Sequence, residues 1–491
     1  MSMLNCVYEI KEEFTVFSKK RTACTTILVG KKASLDGSTM IARNDDTFQA
    51  VAPHKFEYHQ PQNNQQKVIV KSWLNNFQAA VPENSYGWPG VPNVDYQHEG
   101  YYDESGINTK NVAMSATEST YGNERALAYD PLIPDGLDED CIVRMVLPYV
   151  DSARAAVQRT GELIAQFGSP AGNSVLFSDN NDVWYMEIVT GHHWVAQRIP
   201  DDAYAIAANR VSIQQVDFNN PHEFMWSPGI QEFVAQYHLN TDAQGWNFRH
   251  IFGTNNQKDH HYNNPRVWFG QRYFNPEINQ NPEDDELPFI CHTNHKISVE
   301  DIEYLLGSHY NETAYDPLQS GTDPKKYLYR PIGLNRTQNS HILQIRNDVD
   351  PQFAAIMWLC LGYPTFSPYL PFYTNMNDTD PSFNDTAMTF NLKDAYWLYK
   401  GMSVLVEAHY KEFIQSNIDF LTQCRQQFRS AIVQTDQNAL HYQGTELTKF
   451  LTQQNQSLVQ TNRQQTLKYM QDLMTQSINL SHLTFNMDKN L

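Results

Sequence analysis

One juncture constrains this chain more than any other: a cysteine stands directly before a sharply punctuated β-hairpin. Thr25-Thr26-Ile27-Leu28-Val29-Gly30 is a short run rich in branched residues, the composition of a strand. Asp36-Gly37 is a hairpin-type turn, and Ser38 to Asn44 reads as the return strand. Cys24 therefore opens the hairpin, whose second strand ends at Arg43 to Asp46. Folding it carries Arg43 and Asp46 back beside Cys24. Residues 1–23 differ from the rest of the chain, being polar, charged at both ends and without a clear period.

A thiolate is a strong nucleophile, but an ordinary thiol with a pKa near 8.5 is only slightly ionised at neutral pH. Cys24 needs a base, and none of the 17 histidines sits in a recognised cysteine-protease signature. The other known solution uses the chain's own α-amino group, whose ordinary pKa of about 7.7–8.0 suits proton transfer near neutrality. It demands the cysteine at position one of a processed chain, so cleavage between Ala23 and Cys24 is expected. Arg43 would favour the thiolate electrostatically, and Asp46 would hold the α-ammonium or orient the amine. Cys6 lies nearer the start but lacks the following hairpin and the Arg-x-x-Asp spacing.

The composition mainly excludes. A chain of 491 residues can bury a large core without a disulfide or zinc staple. With 36 Lys+Arg against 55 Asp+Glu the formal net charge is −19, which repels nucleic-acid phosphate and anionic membrane. No run reaches eighteen apolar residues, so no membrane span is expected. Glu9, Lys11, Glu12 and Glu13 interrupt any secretory apolar region. The 6 cysteines are scattered and form no CxxC pair, which argues against a disulfide framework or zinc site and for a reducing compartment. His192 and His193 would point to opposite faces of a strand, so no shared metal is expected there.

Further along, residues 50–105 read as loops and short strands, and 112–117 as a strand. Ile142 to Phe167 has helical spacing. Ser174–Ser178, Val183–Thr190, Trp194–Ile199 and Tyr204–Ala208 read as a four-stranded antiparallel meander. Residues 215–290 look irregular, while His341–Arg346 and Phe353–Leu361 look like late core strands. From Asp394 to about Met474 the period is helical, with Gly444 as a break.

The run Ala23 to Ser34, with Asp36-Gly37-Ser38 and Arg43-Asn44-Asp45-Asp46, closely resembles the bacterial cysteine dipeptidases of the N-terminal-nucleophile superfamily, peptidase family C69. Asn111 to Ser119 resembles that family's second core strand. Ser178-Asp179, Val183 to Glu187, Gly191 to Ala196 and Arg198 to Asp202 are similar to its central meander. Ala207-Ala208-Asn209-Arg210 follows in place, and Arg330 to Gly333 and His341 to Ile345 resemble its later core.

The resemblance implies an α+β fold, the four-layer αββα sandwich with antiparallel sheets, here with a long helical C-terminal extension. It implies a leader (1–23) removed to expose Cys24, an αββα core with loop insertions (24–393) and a helical extension packed on it (394–491). Cys24 falls in the nucleophile position. By similarity to the wider bile-salt-hydrolase and penicillin-acylase relatives, Arg43 and Asp46 fall on their Arg-x-x-Asp pair, and Asn209 on the asparagine of the oxyanion hole. Glu118 falls where those amidases carry another polar residue, and a carboxylate there would read the free α-ammonium of a dipeptide. The implied activity is hydrolysis of dipeptides with a free N-terminus through a thioester, in the cytoplasm. Neither metal nor cofactor is implied, nor a nucleic-acid or membrane partner, and a homo-oligomer is compatible with the family. The alternatives are an N-acyl amide hydrolase of the same superfamily and a catalytically silent binding protein with residues 1–23 uncleaved.

Overall fold

The structure, a computed structural model, describes residues 24–63, 68–98 and 100–483. The expected leader, with Ala23 and Cys6, lies outside them. Every residue of the strand Val183–Ile188 is buried, yet its side chains enter two different cores. Tyr185, like Leu176 and Val195 on the neighbouring strands, joins the larger core. Trp184, Met186 and Ile188 join a second core with Val175 and Phe177. The period-two alternation of a pleated strand produces this division. A sheet apolar on both faces must be covered on both.

Among the described residues the strands form two large antiparallel sheets and one small hairpin. The first sheet runs β14 (Ile290–His292), β12 (Ala203–Ala207), β1 (Thr25–Val29), β2 (Thr39–Asp46), β15 (Thr337–Ile345), β16 (Ala355–Cys360) and β17 (Leu370–Tyr373). The second runs β13 (Phe224–Trp226), β11 (Trp194–Ile199), β10 (Val183–Ile188), β9 (Asn173–Ser178), β8 (Ala113–Glu118), β7 (Ser105–Ile107), β6 (Trp88–Gly90) and β3 (Glu57–His59). β4 (Ile69–Lys71) pairs with β5 (Gln78–Ala80). β2 packs across β8, β9 and β10, so the two sheets lie face to face.

Helices cover the outer faces. α2 (Glu139–Val146) and α3 (Ala153–Phe167) lie on the second sheet, and α6 (Asn264–Phe274), α7 (Val299–Leu306) and α11 (Gly444–Asn479) lie on the first. α9 (Ala395–Ala408) and α10 (Tyr410–Ala439) pack with α11, and the short α1 (Glu124–Leu127), α4 (Ile230–Gln236), α5 (Phe248–Phe252) and α8 (Pro381–Asn384) complete the set. The protein is an αββα sandwich with a long helical C-terminal tail.

Three departures from the sequence-based expectation have physical causes. The helix expected over Ile142–Phe167 is two, α2 and α3, because Pro148 sits in a 3-10 turn between them and has no N–H for the helical ladder. Ser152 restarts α3 by accepting the Ala155 N–H at 3.2 Å. The supposed fourth strand of the meander, β12, leaves β9–β11 and pairs with β1 in the other sheet. Residues 215–290, expected to be irregular, contain α4, α5 and α6, with Pro265 in the first turn of α6.

Candidate active site

Cys24 immediately precedes β1 and is 1% exposed. β1 runs between β2 and β12, with Thr26 opposite both Arg43 and Ala207. The chain segments carrying Arg43 and Asn209 therefore border Cys24 on its two sides.

Arg43 is fully buried and spends its guanidinium in three directions. Nη1 donates to Cys24 Sγ at 3.2 Å, Nη2 to Glu104 Oε2 at 2.8 Å and Nε to Ser115 Oγ at 2.9 Å. Ser115 Oγ is 3.0 Å from His341 Nε2, and His341 Nδ1 is 3.0 Å from Asn339 Oδ1. Asn339 Nδ2 donates to Asp45 Oδ2 at 2.8 Å, and Asp45 Oδ1 stands 3.9 Å from Arg43 Nη1. Four hydrogen bonds and this ion pair close a ring. Asn339 Oδ1 can only accept, so His341 carries its proton on Nδ1, and Nε2 accepts from the Ser115 hydroxyl. Burial, then the neighbouring Arg43 charge, holds His341 well below its ordinary pKa, in keeping with a neutral ring. Each member thus fixes the next, and the ring aims Arg43 at the sulfur.

The electrostatics are balanced against each other. Burial pushes the Cys24 thiol up; Arg43 pulls it down, and Asp45, Asp46 and Glu104 push it up further. Burial pushes Glu104 up to about 7 against the pull of Arg43. Burial would also raise Asp45, but its hydrogen bond from His54, at 3.3 Å, and the Arg43 charge outweigh that and hold it at about 2. The net direction for the Cys24 thiol is upward, with Arg43 the one neighbour among those named that opposes it.

The opposite wall is organised by Arg266 on α6. Its Nη1 donates to the Cys24 carbonyl oxygen at 2.7 Å and to Thr25 Oγ1 at 2.9 Å. Its Nη2 donates to Asn209 Oδ1 and Asn263 Oδ1, both at 2.8 Å. Asn263 Nδ2 donates to the Asn209 carbonyl at 2.8 Å. The side-chain oxygen of Asn209 is thus turned to Arg266, which points its NH2 end the other way.

Asp46 and Glu118 lie differently. Alternation along β2 puts Arg43 and Asp45 on one face and Asn44 and Asp46 on the other. Asn44 Nδ2 donates to the Leu306 carbonyl at 2.8 Å, beneath α7, while Asp46 pairs with Arg330 and accepts from Thr337 Oγ1. Asp46 reaches Cys24 through its charge and makes no bond to the sulfur or to Arg43. Glu118 ends β8, and its backbone N–H donates to Glu139 Oε1 at 2.7 Å. Glu139, the first residue of α2, is 2% exposed. Burial, then the charges of Glu104, Cys24 and Glu118, pushes it well above the usual carboxyl range.

The sequence alone did not single out Asp45, Glu104, Ser115, His341, Arg266 or Glu139 as site residues. Only Asp45 carried a usable signal, because strand periodicity pairs it with Arg43 two residues away. Elsewhere, Glu57, His59 and Asp103 bring ligand atoms within 4.8 Å of one another. Protein groups already occupy them: His59 Nε2 lies 2.6 Å from Asp103 Oδ2, and Tyr101 donates to Glu57 Oε1 at 2.8 Å.

The sequence from residue 23 to 423 matches the family model described as Peptidase family C69. The chain belongs to peptidase family C69. It is 50% identical to a "Probable dipeptidase" of Latilactobacillus sakei over 470 residues, covering 96% of this chain and 98% of that one. It is 39% identical to "Dipeptidase A" of Lactobacillus helveticus, covering 95% and 99% respectively. A "Probable dipeptidase B" of Lactococcus lactis is 40% identical, with 90% and 93% covered. A penicillin V acylase structure from Agrobacterium tumefaciens covers 71% of the chain and 85% of its own, with 13% identity and a TM-score of 0.31. No described helix of this C69 member is long and apolar enough to cross a membrane.

Proposed function

We propose that this C69 member is a dipeptidase whose nucleophile is Cys24, and that removal of residues 1–23 creates its catalytic base. The observation that carries the reading is the Arg43 guanidinium 3.2 Å from the Cys24 sulfur, held there by Glu104 and Ser115. It stabilises the thiolate once the proton has gone. The freed α-amino group of Cys24 takes that proton directly or through water, as its ordinary pKa allows. Asp46, whose charge already reaches Cys24, orients the resulting ammonium.

The thiolate attacks the scissile carbonyl, and the Asn209 NH2 group and a backbone N–H receive the oxyanion, a contact worth about 3 kcal/mol per donor. The amine of the second residue leaves with a proton, the first residue stays as a thioester, and water releases it. Glu118 receives the substrate's α-ammonium. The named activities of the relatives support the substrate class. By the same reading residues 24–393 are the catalytic core and 394–491 an extension packed on it. The enzyme works on small peptides in the cytoplasm, and a homo-oligomer is compatible with its family.

Mass spectrometry of the active protein should find Cys24 at the N-terminus, and Cys24→Ala should abolish both turnover and processing. N-acetylation of a dipeptide should prevent its hydrolysis. Full activity of Cys24→Ala, or of a chain still starting at Met1, rules the mechanism out. Preferred hydrolysis of the N-acylated substrate would point to an amidase instead.

A further inference from the structure

The two sides of Cys24 differ in charge. On the Arg43 side stand four carboxyl groups, those of Asp45, Glu104, Glu118 and Glu139. On the Arg266 side, cations gather around one half-buried phenol, Tyr262. The guanidinium carbons of Arg266 and Arg330 lie 5.0 and 5.5 Å from its ring centroid, and Lys258 Nζ lies 5.8 Å from it. Arg336 Nη2 donates to the phenol oxygen at 3.2 Å. In a chain of net charge −19 this concentration of positive charge is a local reversal.

The cations are not equally engaged. Arg330 pairs with Asp46, and Arg266 is spent on Cys24, Thr25, Asn209 and Asn263. Arg336 meets only neutral partners: the Thr47 carbonyl at 3.1 Å, the Tyr262 phenol and the face of Phe48. Among the described residues it has no carboxylate partner. Although burial alone would raise the Tyr262 phenol, Arg330, Arg266 and Arg336 together bring it below its ordinary pKa.

We propose that Arg336, with Tyr262 and Arg330, forms the subsite that binds the substrate's free C-terminal carboxylate and so limits hydrolysis to dipeptides. The inference rests on the dipeptidase reading above. Arg266 links the two places, touching the Cys24 carbonyl and stacking on Tyr262. In a dipeptide one residue, roughly 3.5 Å of chain, separates the scissile carbonyl from the terminal carboxylate. A carboxylate here gains charge-assisted hydrogen bonds from a guanidinium fork and a phenol O–H. A tripeptide would present a neutral amide and a further residue instead, leaving the arginine charge without its counterion.

The test compares one dipeptide with its C-terminal amide on the processed enzyme. The wild type should favour the free acid at least tenfold in kcat/KM, mainly through KM. Arg336→Gln should bring that ratio close to one, and Arg336→Lys should restore part of it. A ratio unchanged in Arg336→Gln overturns the subsite, because a merely structural arginine would lower both substrates alike. A wild type that hydrolyses acid and amide equally well also overturns it while leaving the dipeptidase standing. A wild type that hydrolyses neither overturns both.

Discussion

At the level of single residues, the sandwich holds buried charge that its surroundings only partly compensate. Glu187 on β10 faces the inter-sheet core, is fully buried, and accepts the backbone N–H groups of Ser212 at 2.6 Å and Ile213 at 3.1 Å. Burial nevertheless pushes its pKa from 4.5 up to about 7. A folded-state pKa above the unfolded one means that the folded protein binds the proton more tightly. The associated stability is fully present below pH 4.5 and is lost as pH rises through 7. At about 1.4 kcal/mol per unit, the loss is on the order of 3 kcal/mol. Thermal denaturation between pH 5 and pH 8 should show a steeper decline for the wild type than for Glu187→Gln. Parallel curves would remove Glu187 as the source.

At the level of elements, the departure of β12 from the meander positions the chemistry. It carries Asn209 out of the second sheet to the edge of β1, beside Cys24. Arg266 then holds the Oδ1 end of the Asn209 amide, which under the proposed mechanism leaves the NH2 end for the oxyanion. Arg266→Gln should therefore lower kcat by tenfold to a hundredfold with a smaller change in KM, since misplacing an oxyanion donor weakens the transition state more than the ground state. Steady-state kinetics on one dipeptide measures this, and a purely KM effect would contradict it. The hairpin of β1 and β2 was legible because β-branched runs, Asp36-Gly37 and the position of Arg43 are local signals. The helices of 230–274 were not, because their Asn- and aromatic-rich turns carry weak periodicity, and they form through long-range contacts such as those of α6 with β12 and of α5 with α1. Glu104 and His341 were invisible for a related reason: they reach Arg43 only through pairings between residues 61 or more positions apart.

At the level of the whole molecule, the C-terminal helices are tied into the strand that lies beside the site. Lys400 on α9 is buried, and its Nζ donates to the carbonyls of Asn335 at 2.6 Å, Thr337 at 2.9 Å and Ala50 at 3.3 Å. Thr337 begins β15 and bonds Asp46, so α9 supports the same strand end that holds Asp46. Lys400→Met keeps the aliphatic stem but leaves three acceptors short of a donor. It should lower stability by about 2–4 kcal/mol, read as a fall in melting temperature. An unchanged melting temperature would show the tail to be anchored elsewhere. The distribution of thiols has a practical corollary. Cys141, Cys291, Cys360 and Cys424 are buried, and burial raises each thiol above its ordinary pKa. Cys6 would depart with residues 1–23. Cys24 is buried as well, and what sets it apart is the Arg43 guanidinium at 3.2 Å together with the α-amino base that the proposed processing would create. A matured chain should therefore be alkylated at that sulfur first, and the labelling stoichiometry of a preparation would count its working centres.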